Sequence, residues 1–83
     1  MATKARTKDE SFIVKLYEEA KKLPSIDDPL DRYTIGQMVG LQKKAVDTIC
    51  VLLAQANFIK KKSATEIAIT LNGIELAQTI TLN

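Results

Sequence analysis

Residues 33–59 read YTIGQMVGLQKKAVDTICVLLAQANFI, two helical patterns in close succession with a single glycine-marked break between them. Thr34 and Gln37 have the spacing of a capping box, in which the hydroxyl and the amide satisfy each other's backbone N–H. Ile35, Met38 and Val39 then form the apolar face of a helix barely two turns long, and Gly40 ends it. A second helix begins almost at once with Gln42-Lys43-Lys44 and runs to about Ala56. Val46, Ile49, Cys50, Leu53 and Ala56 recur on one face of it at helical spacing. Asn57 stands where a helix end favours a left-handed residue, and Asn is the usual second choice after Gly.

Working outward, Thr7 and Glu10 repeat the capping-box spacing. Phe12, Ile13, Leu16, Tyr17, Ala20 and Leu23 follow at helical intervals, with Lys15, Glu18, Glu19, Lys21 and Lys22 opposite. This predicts a first helix of about four turns, stopped by Pro24. Residues 1–7 read as a flexible basic tail and 8–83 as one domain. Ser25 to Asp31 is a connector with Pro29 and three acids, pinned to the core by Ile26 and Leu30. On the far side the period changes to two. Phe58-Ile59-Lys60-Lys61 and 66–70 are β-prone runs, with 62–65 as the tip of a hairpin. Arg32-Tyr33 would supply a short third strand. Thr70 caps a last helix holding Ile74, Leu76, Ala77 and Ile80.

The fold class is therefore α+β, mostly α. Its expected core is Phe12, Leu16, Ile35, Val39, Leu41, Val46, Ile49, Leu53, Phe58, Ile67, Ile69 and Leu76. With 83 residues, 46% apolar and 27% charged, the chain supports one modest core. The longest apolar run, 49–54, falls far short of a membrane span. No apolar segment follows the basic start, so a secretory signal is not expected. One cysteine and no histidine exclude zinc sites, imidazole acid–base chemistry and Cys–His nucleophile pairs. A lone cysteine also fits a reducing, cytoplasmic setting.

Charge is uneven along the chain. Residues 1–31 sum to −1, residues 32–62 to +5 and residues 63–83 to −2, within a net +2. The basic middle consists of Arg32, Lys43, Lys44, Lys60, Lys61 and Lys62 against Asp47 alone. It is either a solvated face or the footprint of a polyanion.

Two helices meeting across so tight a turn is what a helix-turn-helix requires. The whole order resembles the winged helix-turn-helix fold, with a three-helix core, a two- or three-stranded wing and a C-terminal helix. Residues 33–41 resemble the first helix and turn of the motif. The form V-x-x-I-x-x-x-L-x-x-A-N-F-I over 46–59 is similar to a recognition helix entering the first wing strand, with Asn57 where many such regulators carry Gly. Ile69-Thr70-x-x-Gly73-x-x-Leu76 resembles the element after the wing in MarR-like and related bacterial and archaeal regulators.

That resemblance implies double-stranded DNA as the partner and a role as a small transcription regulator in the cytoplasm, associated with the nucleoid when bound. The helix over 42–56 would enter the major groove, and the wing over 58–70 would lie on the backbone. The expected DNA-facing set is Arg32, Thr34, Gln42, Lys43, Lys44, Asp47, Thr48, Lys60, Lys61, Lys62 and Ser63. Gln42 would read adenine, Lys43 or Lys44 guanine, Thr48 a thymine methyl or a phosphate, and Asp47 cytosine. Five lysine–phosphate contacts would give a log–log salt slope near −4.5, at about 0.9 per contact. No cofactor, metal, small-molecule ligand, membrane or catalytic residue is expected, and the chain is not expected to be an enzyme.

Val51, Leu52 and Ala54 make the latter half of the long helix apolar almost all round. Burial within the domain is the simpler reading. The other is a homodimer, built through the first and last helices and drawing on Val14, Ile80 and Leu82. Cys50 reads as a buried apolar group. The alternative to DNA binding is a winged-helix module that binds protein, its lysines serving only solubility.

Overall fold

The computed structural model describes residues 6–82. Most of the basic tail expected over 1–7 lies outside the described residues, and Thr7 already belongs to the first helix as its cap. Its hydroxyl accepts from the Glu10 N–H at 3.3 Å while its own N–H donates to the Glu10 carboxylate at 2.9 Å. Two of the orphan donors at the helix start are thereby satisfied. Helix α1, Lys8–Ala20, follows. It ends in a turn in which the Lys21 N–H donates to the Tyr17 carbonyl at 3.0 Å and the Leu23 N–H to the Ala20 carbonyl at 3.1 Å.

The connector leads into strand β1, Leu30–Asp31, and helix α2, Arg32–Met38. Here two expectations shift by a few residues. The third strand lies at 30–31, not at Arg32-Tyr33, and the cap of α2 is Asp31, not Thr34. The Asp31 carboxylate accepts from the N–H groups of Tyr33 at 2.8 Å and Thr34 at 3.1 Å. A carboxylate is a somewhat better N-cap than a threonine hydroxyl and also complements the positive end of the helix dipole. Gly40 adopts φ +74°, and the Leu41 N–H reaches back to the Gly36 carbonyl at 2.8 Å. Helix α3, Lys43–Gln55, then starts from Gln42. Asn57 takes the left-handed conformation with φ +65°, releasing the chain into β2, Ile59–Lys61. Strand β3 is Glu66–Ile69 and helix α4 is Leu71–Leu82.

The sheet is antiparallel, in the order β1-β3-β2. Ile59 pairs with Ile69, Lys61 with Ile67, and Leu30 with Ile67 on the other edge. Thr70 fastens the last helix to the hairpin. Its hydroxyl accepts from the Gly73 N–H at 3.1 Å and donates to the Asn57 carbonyl at 2.6 Å.

Helix α1 is the element around which the rest assembles, packed against α4, α2, α3 and β3. Coverage from several sides explains why Phe12, Ile13, Val14 and Leu16 are all buried, although one amphipathic stripe would hold only some of them. Of the expected core, Phe12, Leu16, Ile35, Val46, Ile49, Leu53, Ile67 and Ile69 are buried. Val39, Leu41, Phe58 and Leu76 are only half-buried, because they sit at element ends or on the outer edge of α4. Ile13, Val14, Ala20, Cys50, Ile59 and Ala77 complete the core.

Three further expectations are corrected. Val14 is 2% exposed and has no surface to offer a second subunit. Ile26 remains exposed and does not pin the connector. Val51 and Leu52 are each 55% exposed, so the domain does not bury the apolar remainder of α3. The core takes α3 along Val46, Ile49, Cys50 and Leu53, and no other element of the described residues reaches its outer side. No described helix is long and apolar enough to cross a membrane.

Candidate nucleic-acid interface

Helix α3 presents its first turn to solvent. Gln42, Lys43 and Lys44 are exposed, and Gln42 caps the helix through its backbone without a side-chain bond. Thr34 is exposed on the first turn of α2. Thr48 lies one turn beyond Lys44, and its hydroxyl donates to the Lys44 carbonyl at 3.1 Å. That bond uses its proton and leaves its lone pairs open to a donor.

On the hairpin, Lys60, Lys61 and Lys62 are exposed. Among the described residues none of them, and neither Lys43 nor Lys44, forms an ion pair. They do not all point one way. Successive strand residues face opposite sides of a sheet, so Lys61 shares the side of Ile59 and lies along α3, while Lys60 faces away. Lys60 and Lys62 act instead on the connector. The Asp27 carboxyl is held below the usual carboxylate range, first by the Ser25 hydroxyl and its own backbone, and further by the charges of Lys62 and Lys60.

Three of the expected contact residues are engaged within the protein. The Arg32 guanidinium donates through Nη2 to the Ala64 carbonyl at 3.0 Å and to the Tyr33 hydroxyl at 3.3 Å. It also lies 3.4 Å from the Asp47 carboxylate, with its side chain only 17% exposed. The Tyr33 hydroxyl donates to the same Asp47 oxygen at 2.6 Å. Ser63 closes the hairpin tip, its hydroxyl accepting from the Glu66 N–H at 3.1 Å and donating to the Glu66 carboxylate at 3.3 Å. Setting these three aside leaves Thr34, Gln42, Lys43, Lys44, Thr48, Lys60, Lys61 and Lys62, all exposed. Tyr33 is the residue that sequence reasoning passed over. Its ring lies 5.1 Å from the Arg32 guanidinium and 5.6 Å from the Lys43 ammonium, within cation–π range of both. Its partner Asp47 is fourteen positions away, a separation that no local periodicity signals.

Two depressions flank the outer ridge of α3. One, of about 490 Å³, runs against the start of α1 and is lined by Lys8, Asp9, Lys44, Thr48 and Leu52 among others. The other, of about 270 Å³, lies between α3 and the hairpin, with Val51, Ala54, Ile59 and Lys61 on its walls. Cys50 sits at its floor, 3% exposed. Burial pushes the Cys50 thiol up to about 11. At pH 8 roughly one part in a thousand is therefore thiolate, the nucleophilic form, against about a quarter for an open thiol. Labelling with iodoacetamide at pH 8 should run about a hundredfold slower on the native protein than on protein unfolded in guanidinium, as followed by mass spectrometry. Equal rates would contradict this burial.

Among the described residues no cluster of His, Cys, Asp and Glu is placed to hold a metal ion. Comparison with protein-family models, with curated proteins and with solved structures finds no match to this chain.

Proposed function

We propose that this chain binds double-stranded DNA as a small cytoplasmic regulator of the winged-helix type, with α3 in the major groove and the hairpin on the backbone. The observation that carries the reading is the pair of cation clusters, Lys43-Lys44 and Lys60 to Lys62. Both are exposed, neither forms an ion pair among the described residues, and they occupy the helix start and the ribbon that would meet a duplex. The element order, with β1 pairing to β3 beside a short helix pair, supports the winged-helix assignment. Binding is mainly electrostatic, with Gln42 and Thr48 as the candidates for base contacts. A homodimer in this reading draws on exposed Leu71 and Leu82 of α4 and on half-buried Ile80, since two half-sites offset the weak binding of one small module.

One observation favours a second reading, a protein-binding module. Val51 and Leu52 lie exposed on the face of α3 that would enter the groove, and exposed apolar ridges commonly mark protein contacts. A single titration separates the two. Mixed-sequence duplex is added to isotope-labelled protein at several salt concentrations, and amide shifts are recorded. DNA binding moves signals at 42–48 and 60–62 and weakens with a log–log slope of about −3 to −4. Saturating duplex without those changes rejects it.

A further inference from the structure

We infer that Arg32, Tyr33 and Asp47 form a clamp that sets the hairpin's position against α3, acting as positioning residues and not as DNA contacts. This rests on the DNA-binding reading for its consequence, though not for its existence. The clamp joins three parts of the chain. Arg32 opens α2, Asp47 lies on the second turn of α3, and Ala64 is at the hairpin tip.

Arg32 holds the tip twice. Its backbone N–H donates to the Thr65 carbonyl at 3.0 Å and its guanidinium to the Ala64 carbonyl at 3.0 Å. On its other side the same Nη2 faces Asp47 at 3.4 Å, and the Tyr33 hydroxyl closes the triangle to Asp47 at 2.6 Å. All three side-chain contacts are made by Nη2, whose two N–H groups are fixed in direction by the guanidinium plane, whereas those of an ammonium on a flexible stem rotate freely. The Arg32 Nε is buried with no hydrogen-bond partner among the described residues. An orphaned donor of this kind costs free energy, which the fold accepts in holding the guanidinium at this junction. The hairpin needs such a tie. Strand pairing in the sheet ends at Lys61 and Glu66, so the position of the tip beyond it depends on other contacts. The hairpin's lysines can meet a backbone in register with α3 only if the tip is held.

The charge account and the clamp account predict opposite signs for Asp47. If Asp47 were merely an acid beside a phosphate-binding face, Asp47→Ala would tighten duplex binding by removing repulsion. As part of the clamp, its loss weakens binding. Arg32→Lys keeps the charge and Tyr33→Phe changes none, so neither alters the count of ionic contacts. The experiment measures amide hydrogen exchange in the free protein and then duplex affinity across salt. The clamp predicts that Arg32→Lys and Tyr33→Phe raise exchange at the Ser63 and Glu66 amides, which are hydrogen-bonded across the tip, by about tenfold, the worth of one charge-assisted hydrogen bond, while α1 amides keep their protection. Affinity then falls about fivefold or more at an unchanged salt slope, and Asp47→Ala falls with it. Tip protection unchanged in both conservative variants, or tighter binding by Asp47→Ala, overturns the clamp. A wild-type protein indifferent to duplex instead defeats the DNA reading, and the exchange data still decide the clamp.

Discussion

Replacing Lys43 and Lys44 together by alanine lowers duplex affinity about thirtyfold at 0.15 M salt. Each phosphate contact contributes about 0.9 to the log–log slope, or roughly fivefold at that ionic strength, and both lysines stand exposed at the start of α3. The slope should become shallower by about 1.8. The hairpin behaves differently. Because Lys60 and Lys61 lie on opposite faces of β2, a duplex lying on one side cannot engage both fully. Removing Lys60, Lys61 and Lys62 should therefore reduce the slope by about one to two, less than the 2.7 of three independent contacts. Single substitutions would show which side is used. Loss concentrated at Lys61 places the duplex on the α3 side of the hairpin, and loss at Lys60 and Lys62 places it on the connector side. Fluorescence anisotropy of a labelled duplex across a salt series measures all of this. Unchanged slopes in both multiple variants would show that these cations meet only solvent.

Gly73→Ala should lower the melting temperature by about 10–20 °C, an effect opposite in sign to helix propensity. Ala in place of Gly inside a helix ordinarily gains about 1 kcal/mol. At Gly73, however, a Cβ would sit 2.1 Å from the Phe58 carbonyl oxygen and 2.8 Å from the Ile69 side chain. The first of these atoms is backbone, fixed by Phe58 entering β2 and by the Thr70 N–H that donates to it at 3.2 Å. Relief requires moving α4 away from the hairpin, at a cost of about 3 kcal/mol. For a domain of this size each kcal/mol shifts the midpoint by about 4–8 °C. Gly36 offers the internal comparison. There the added Cβ would meet the Val46 Cγ2 at 2.3 Å, a methyl of a stiff side chain that is itself only 1% exposed, so Gly36→Ala should also destabilise, though by less than a clash with fixed backbone. Calorimetry of the two variants beside the wild type checks the order. A Gly73→Ala protein as stable as the wild type would mean that α4 does not press on the hairpin as described.

The same glycine shows how far local sequence reading reaches. Gly73 was visible as part of the run Ile69-Thr70-x-x-Gly73-x-x-Leu76, and Thr70 as a cap, because a cap is a relation between residues three apart. What the glycine is for was not visible. The Phe58 carbonyl it admits belongs to another element, and contact across fifteen positions leaves no periodicity. Asp31 is the intermediate case. Its capping of α2 is local, but Thr34 and Gln37 offered a competing local solution. Pairing of β1 with β3, which brings Arg32 to the Thr65 carbonyl, favours the earlier start.

Composition and spacing by themselves determined the number, kind and approximate limits of the helices and the hairpin, the left-handed residues at Gly40 and Asn57, and the location of the cations on α3 and β2. Those properties are written in neighbours a few positions apart, where capping, amphipathic period and backbone chirality act. Only the tertiary structure decided that α1 is covered from several sides, that Val51 and Leu52 stay in water, and that Arg32 and Asp47 pair with each other. Burial and pairing at those positions depend on which surfaces the folded chain brings within a few ångströms, and hydrophobicity or charge read one residue at a time carries no record of that distance.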